Sequence, residues 1–355
     1  MTMPKHIDSL YETMTQQAAA DGRPAQLFTL RNTSGMTATF MDIGATWLSC
    51  TLPLENTERE VLLSYATIAQ HSVQTAYFGA TVGRYANRIA NGHFTIDGTE
   101  YQVDTNQGGH TLHGGPNGFD KRRWTLKEHT DTVLVFSLVS VDGDQGFPGE
   151  LAATVRFELT ESNALEIQYV AECDKACPVN FTNHAYFNLM GDSTDEDCLA
   201  HSLSISADKF VPTNAEGIPT GELKSVEGTG FDFRELKTLK QDFLIDEEQK
   251  LANGYDHAFL LSEPVTDGAT IAVRAVSPDE LVTLEVKTTK PAVQLYTGNF
   301  LAGEPARNGK HIIHQGFCLE TEWLPDAPNH SEWPGSSILH PGEQYNHTTT
   351  YQFVF

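Results

Sequence analysis

From Gln26 onward, apolar and polar residues alternate in short runs separated by Gly, Asn and Asp. ALEIQYVAEC (164–173) sets the pattern: Leu165, Ile167 and Tyr169 fall on one side, Glu166 and Gln168 on the other. That period of two is what a strand with one buried face requires. ELAATVRFELT (150–160), LVTLEVKTT (281–289), AVQLYTGNF (292–300) and TTTYQFVF (348–355) also read as strands, and the mostly apolar VLVFSLVSV (133–141) as a buried one. Two hairpins are predicted. One joins the halves of QLFTLRNTSGMTATFMDIGA (26–45) through residues 32–35. The other turns at Asp97-Gly98 in GHFTIDGTEYQV (92–103), a pair suited to a two-residue turn with positive φ at both positions.

Helical composition is confined to the first twenty or so residues and to LKTLKQDFLIDEEQKLA (236–252). Many strands with hardly any helix exclude βαβ units and predict an all-β sandwich or barrel. No linker, charge block or fixed-period repeat divides the chain. The expected organisation is an N-terminal helix or arm over 1–24 and one β-sandwich domain over 25–355.

Five stretches interrupt the strands with functional side chains among glycines and amides: GATVGRYANRIANG (79–92), NQGGHTLHGGPNGFDKRRW (106–124), NFTNHAYFNL (180–189), NGYDHAFLL (253–261) and GFCLETEWLPDAPNH (316–330). Each alone has an ordinary structural explanation, as a turn or a satisfied core histidine. NFTNHAYFNL is the oddest, because its aromatic and apolar residues read as a buried strand while His184 sits among Asn180, Asn183 and Asn188. His110/His113 and His311/His314 have HxxH spacing but lie in loop-like sequence, so no metal site is expected. No phosphate loop and no nucleophile elbow occurs.

The 355 residues carry 23 basic and 47 acidic side chains, a net charge of −24. That surface repels nucleic acid and anionic membrane and disfavours a phosphorylated substrate. Five scattered cysteines imply neither a disulfide framework nor a zinc site. Asp8 and Glu12 interrupt any signal-peptide core, and no apolar run approaches the ~18 residues of a membrane span. A cytoplasmic protein acting on a neutral small molecule is expected. The remaining pool of His, Glu, Asp, Arg, Asn and aromatic residues suits hydroxyl-rich ligands, and a His/Glu pair suits acid–base chemistry near neutral pH. The residues by themselves lead to a carbohydrate-binding or carbohydrate-converting β protein.

GRYANRIANG, LHGGPNGFDKRRW, DGDQGFPGEL, NFTNHAYFNL, GYDHAFLL, LYTGNFLAG, CLETEWLPDAPNHSEWP and PGEQYNHTT, in this order, resemble the aldose 1-epimerases (galactose mutarotases). The resemblance runs from about residue 25 to the C-terminus, and the RRW and PNHSEWP variants resemble bacterial members. It implies a large antiparallel β-sandwich of the galactose mutarotase type with an open cleft. It also implies cofactor-free interconversion of the α and β anomers of a free aldohexose such as galactose or glucose. By motif, His184 corresponds to the general acid and Glu320 to the general base, with the imidazole cationic and the carboxylate anionic at the start. Asn87, Arg88, His113, Asp256 and Gln294 match sugar-binding positions. The main departure is Glu322-Trp323-Leu324, where many members carry Gln and Phe or Trp nearby.

Overall fold

The strands expected from the alternating runs form, and every ladder between them is antiparallel. This computed structural model describes residues 5–55 and 57–355. The larger of its two main sheets has nine strands, Thr125–His129, Val133–Ser140, Leu151–Leu159, Ala164–Cys173, Tyr345–Val354, Thr283–Thr288, Val273–Val276, Ser202–Ile205 and Lys237–Thr238, in that spatial order. The second has six: Tyr186–Phe187, Phe317–Glu322, Ala292–Tyr296, Asp256–Leu261, Ala207–Phe210 and Lys224–Ser225. Leu27–Arg31, Thr37–Met41, Thr46–Leu54 and Thr57–Glu60 make a smaller four-stranded sheet.

Alternation decides which side chains enter the core. Along Leu151–Leu159 every second residue is buried, and along Ala164–Cys173 Leu165, Ile167 and Tyr169 point inward as their spacing requires. The inner face of the six-stranded sheet contributes Phe317, Leu319, Val293 and Leu295 to the same core. Phe187 packs on Tyr351 at 5.5 Å between ring centroids, and the Tyr351 hydroxyl donates to Leu319 O at 2.9 Å, tying the two sheets together. Truncating a fully buried aromatic such as Phe187 to Ala is expected to cost about 3–5 kcal/mol.

The hairpin at Asp97-Gly98 forms with φ of 51° and 79° at its two turn residues, as the dipeptide predicts. Strands Leu27–Arg31 and Thr37–Met41 likewise pair across the turn at 32–35. An N-terminal helix covers Lys5–Thr15, and its Leu10 and Met14 pack against Leu27, Met41, Leu48 and Ile68.

Two local expectations are corrected. Residues 236–252 are not one helix: Lys237–Thr238 joins the edge of the nine-stranded sheet, Asp242 and Leu244 take left-handed backbone angles, and only Glu247–Leu251 is helical. Leu239 is buried in the core and Phe243 packs against it from this irregular backbone, while Leu236, Leu244, Ile245 and Leu251 are exposed. NFTNHAYFNL is not one strand either. Thr182–Asn183 pairs with Thr81–Val82, Tyr186–Phe187 pairs with Phe317–Cys318, and His184 sits at the break between them.

Candidate active site

The outer face of the six-stranded sheet is polar where an isolated sheet would meet water. Register places Tyr186, Cys318, Tyr296 and Asp256 along one rung and Gln294 and Glu320 along the next. Loops carrying Tyr77, Asn87 and His113 cover this face and enclose a cavity of about 280 Å³. His184, Glu320, Asn87, Arg88, His113 and Asp256 all line it. Gln294 does not. It lies behind Asp256 and donates from Nε2 to Asp256 Oδ1 at 2.6 Å.

His184 is held by its backbone. Its N–H donates to Ala80 O at 3.0 Å and its carbonyl accepts from Gly79 N at 2.8 Å. Asn183 Nδ2 donates to the same glycine's carbonyl at 2.8 Å. Asn180 and Asn188 are also spent on backbone, at Trp323 and Gln315, so none of the three asparagines touches the imidazole. Nδ1 lies 3.6 Å from Cys318 Sγ. The ring packs at 5.7 Å from Tyr77 and 5.0 Å from Tyr186, and its Nε2 faces Glu320 Oε1 at 3.5 Å.

Asn87 (φ 63°) and His113 (φ 52°) both occupy the left-handed region, turning their loops back over the cavity. The two are mutually bonded: His113 N–H donates to Asn87 O at 3.0 Å, and Asn87 N–H donates to His113 Nδ1 at 3.1 Å. Arg88 reaches Asp256 at 3.8 Å and Gln107 at 2.8 Å.

Burial dominates the electrostatics. It pushes His184 down to about 4, against a smaller pull upward from Asp256. It drives Glu320 well above the usual carboxylate range, with Glu322 and Asp256 adding repulsion. Desolvation thus works against the expected cationic imidazole and anionic carboxylate and favours the uncharged form of the pair. Asp256 acts in the direction expected of it, but too weakly to decide.

Among the described residues, His113, His184 and Glu320 place one ligand-type atom each within 4.8 Å of one another. The hydrogen bonding opposes a metal there. His113 Nδ1 accepts from Asn87 N–H, so the neutral ring carries its proton on Nε2 and presents a donor to the cavity.

The sequence reading missed the aromatic walls Tyr77, Tyr186 and Tyr296 and the rim residue Gln107. Tyr186 and Tyr296 stood inside NFTNHAYFNL and LYTGNFLAG, but nothing local distinguishes a cavity tyrosine from a core one.

Residues 26–352 match the family described as aldose 1-epimerase. The chain belongs to that family. Its chemistry is that of an epimerase. It is 50% identical over 343 residues to the aldose 1-epimerase of Escherichia coli K12, covering 96% of this chain and 98% of that one. It is 43% identical over 299 residues to the galactose mutarotase of Mus musculus, covering 83% and 84%. The solved structure of an aldose epimerase homologue from C. elegans superposes with a TM-score of 0.84 at 32% identity, covering 93% of this chain and 99% of that one. The sandwich with a polar outer face is thus the galactose mutarotase fold. Among the described residues no helix is long and apolar enough to cross a membrane.

Proposed function

We propose that this epimerase interconverts the α and β anomers of free aldohexoses, galactose and glucose among them, with Glu320 as general base and His184 as general acid. The reading is carried by one observation: an imidazole nitrogen and a carboxylate oxygen 3.5 Å apart in a cavity of about 280 Å³, ringed by hydroxyl-binding groups. Glu320 Oε2 has no hydrogen-bond partner among the described residues and is free to accept the C1 hydroxyl of a sugar. Sugar hydroxyls and Arg88 stabilise the carboxylate when substrate replaces solvent, and the shared proton passes to His184.

Glu320 then takes the C1 hydroxyl proton as His184 protonates the ring oxygen, and the C1–O5 bond breaks. Rotation about C1–C2 presents the other face of the aldehyde. Closure reverses both proton transfers, so the pair ends as it began. Asp256, positioned by Gln294 and Arg88, holds ring hydroxyls, while Asn87 and His113 donate to the sugar. Sandwich catalytic domain 25–355, cytoplasmic location and absence of a cofactor belong to the same reading.

Polarimetry of freshly dissolved α-galactose and α-glucose tests it. Glu320→Gln and His184→Asn should each reduce catalysed relaxation by roughly 10²–10⁴-fold, with the fold intact by circular dichroism. Near-normal activity in either variant contradicts that residue's role.

A further inference from the structure

Behind the cavity lies a buried polar group that neither the acid–base pair nor the sugar contacts use. Glu322 follows Glu320 by two positions on the Phe317–Glu322 strand, so the two carboxylates leave the same sheet face, both buried. Glu322 Oε1 accepts from Asn87 Nδ2 at 3.0 Å, and its Oε2 has no hydrogen-bond partner among the described residues. Asn87 Oδ1 accepts from Arg88 N–H at 2.9 Å. The Asn87 amide is therefore held at both ends, leaving one Nδ2 hydrogen for the cavity it lines.

On the same side lies Lys290, also buried, whose ammonium is pushed well below its usual range by burial while Glu322 pulls it back up. Its Nζ donates to Asn180 Oδ1 at 3.3 Å, contacts the Tyr345 hydroxyl and lies 4.4 Å from the Tyr345 ring centroid. Asn180 Oδ1 also accepts from Trp323 N–H at 2.9 Å, fixing the residue after Glu322. A buried carboxyl with no ion pair among the described residues is a poor source of stability, since its desolvation is not offset. Its place beside the acid–base pair gives it another use.

We propose that Glu322 is a positioning residue for the epimerase: it orients the sugar-facing amide of Asn87 and sets a second buried carboxyl on the same strand face as Glu320. The inference rests on Glu320 being the base. The other charged or titratable groups facing this pair are Asp256 from the next strand but one, Arg88, and the imidazoles of His113 and His184. Tyr186, Tyr296, Tyr345 and Cys318 pack around them and stay neutral, because burial raises each of them.

The two functions separate by mutation. Glu322→Gln keeps an acceptor for Asn87 and removes the charge. The alkaline limb of kcat/KM should fall by on the order of one pH unit, with KM little changed. The acid limb should not move, since burial raises Glu322 well above the usual carboxylate range and it is already neutral there. Glu322→Asp keeps the charge but falls short of Asn87, so the limbs should stay while KM rises roughly tenfold. Should Glu322→Gln alone fold poorly, the pair Glu322→Gln with Lys290→Met leaves no lone buried ammonium, and the same downward limb shift is expected. An unmoved alkaline limb in a variant with wild-type Tm overturns the proposal, as does a loss of rate independent of pH. If Glu320→Gln stays active, the reading of Glu320 as base fails and the inference falls with it. If Glu320→Gln is inactive but the limb is unmoved, the inference alone fails.

Discussion

His184 Nε2 and Glu320 Oε1 stand 3.5 Å apart, although one comes from a break between two-residue strands and the other from the middle of the six-stranded sheet. Their proton affinities are displaced in opposite directions by the same cause, burial. In the proposed mechanism the pair shares one proton, and the sugar's hydroxyls decide which partner carries it.

That shared proton sets the pH profile. Below the first step, near the value of about 4 to which His184 is pushed, both groups are protonated and no base remains. Above the second step, which burial of Glu320 raises, no proton remains for the ring oxygen. A bell-shaped kcat/KM is expected, with its acid limb near pH 4 and its alkaline limb well above the ordinary carboxylate range. Polarimetry corrected for spontaneous mutarotation at each pH measures it. An acid limb near 6.5, the value of a free imidazole, would contradict the account.

Gln294 acts through Asp256, because it lies outside the cavity and donates to Oδ1 at 2.6 Å. Gln294→Leu should raise KM roughly 10–100-fold, the equivalent of one charge-assisted hydrogen bond. kcat should change much less. A fall confined to kcat would place Gln294 in the chemical step instead.

The tautomer of His113 predicts indifference to metals. With Nδ1 accepting from Asn87 N–H, Nε2 keeps its hydrogen and offers no lone pair. Prolonged dialysis against a chelator should leave the rate unchanged, and so should zinc added at micromolar concentration. Loss of activity that zinc restores would refute this arrangement.

Stability at alkaline pH should be limited by Asp120. It is buried, neither carboxyl oxygen has a hydrogen-bond partner among the described residues, and burial raises it from 3.8 to about 6. The folded state therefore binds more protons than the unfolded chain in this window, and stability declines as pH rises from about 4 to about 6. Asp120→Asn should gain up to about 3 kcal/mol at pH 8, shrinking to below about 1 kcal/mol at pH 4. Urea unfolding at the two pH values measures the difference, and an equal effect at both would rule out this origin.

Much of the fold is legible locally. Leu165, Ile167 and Tyr169 announce a strand because side chains alternate across any sheet, whatever its neighbours. Asp97-Gly98 announces its hairpin because few residue pairs accept two positive φ angles. Residues 236–252 depart from the helix their composition suggests because propensity is a weak signal that tertiary context overrides: Leu239 and Phe243 reach the core from irregular backbone. His184 misled in a different way. Composition marks its surroundings as a strand, whereas hydrogen bonds to Gly79 and Ala80 interrupt that strand and turn the imidazole into the cavity.

By itself, then, the sequence determined the strand pattern, the hairpin turns and the motif set that names the family, since each depends on neighbours along the chain. The tertiary structure decided the rest. Only packing of distant segments brings His184 to Glu320, assigns the three asparagines to backbone rather than to the imidazole, and sets Gln294 behind Asp256. Only burial by those segments shifts both members of the pair toward their neutral forms, because desolvation depends on every atom that excludes water and not on the residues next in sequence.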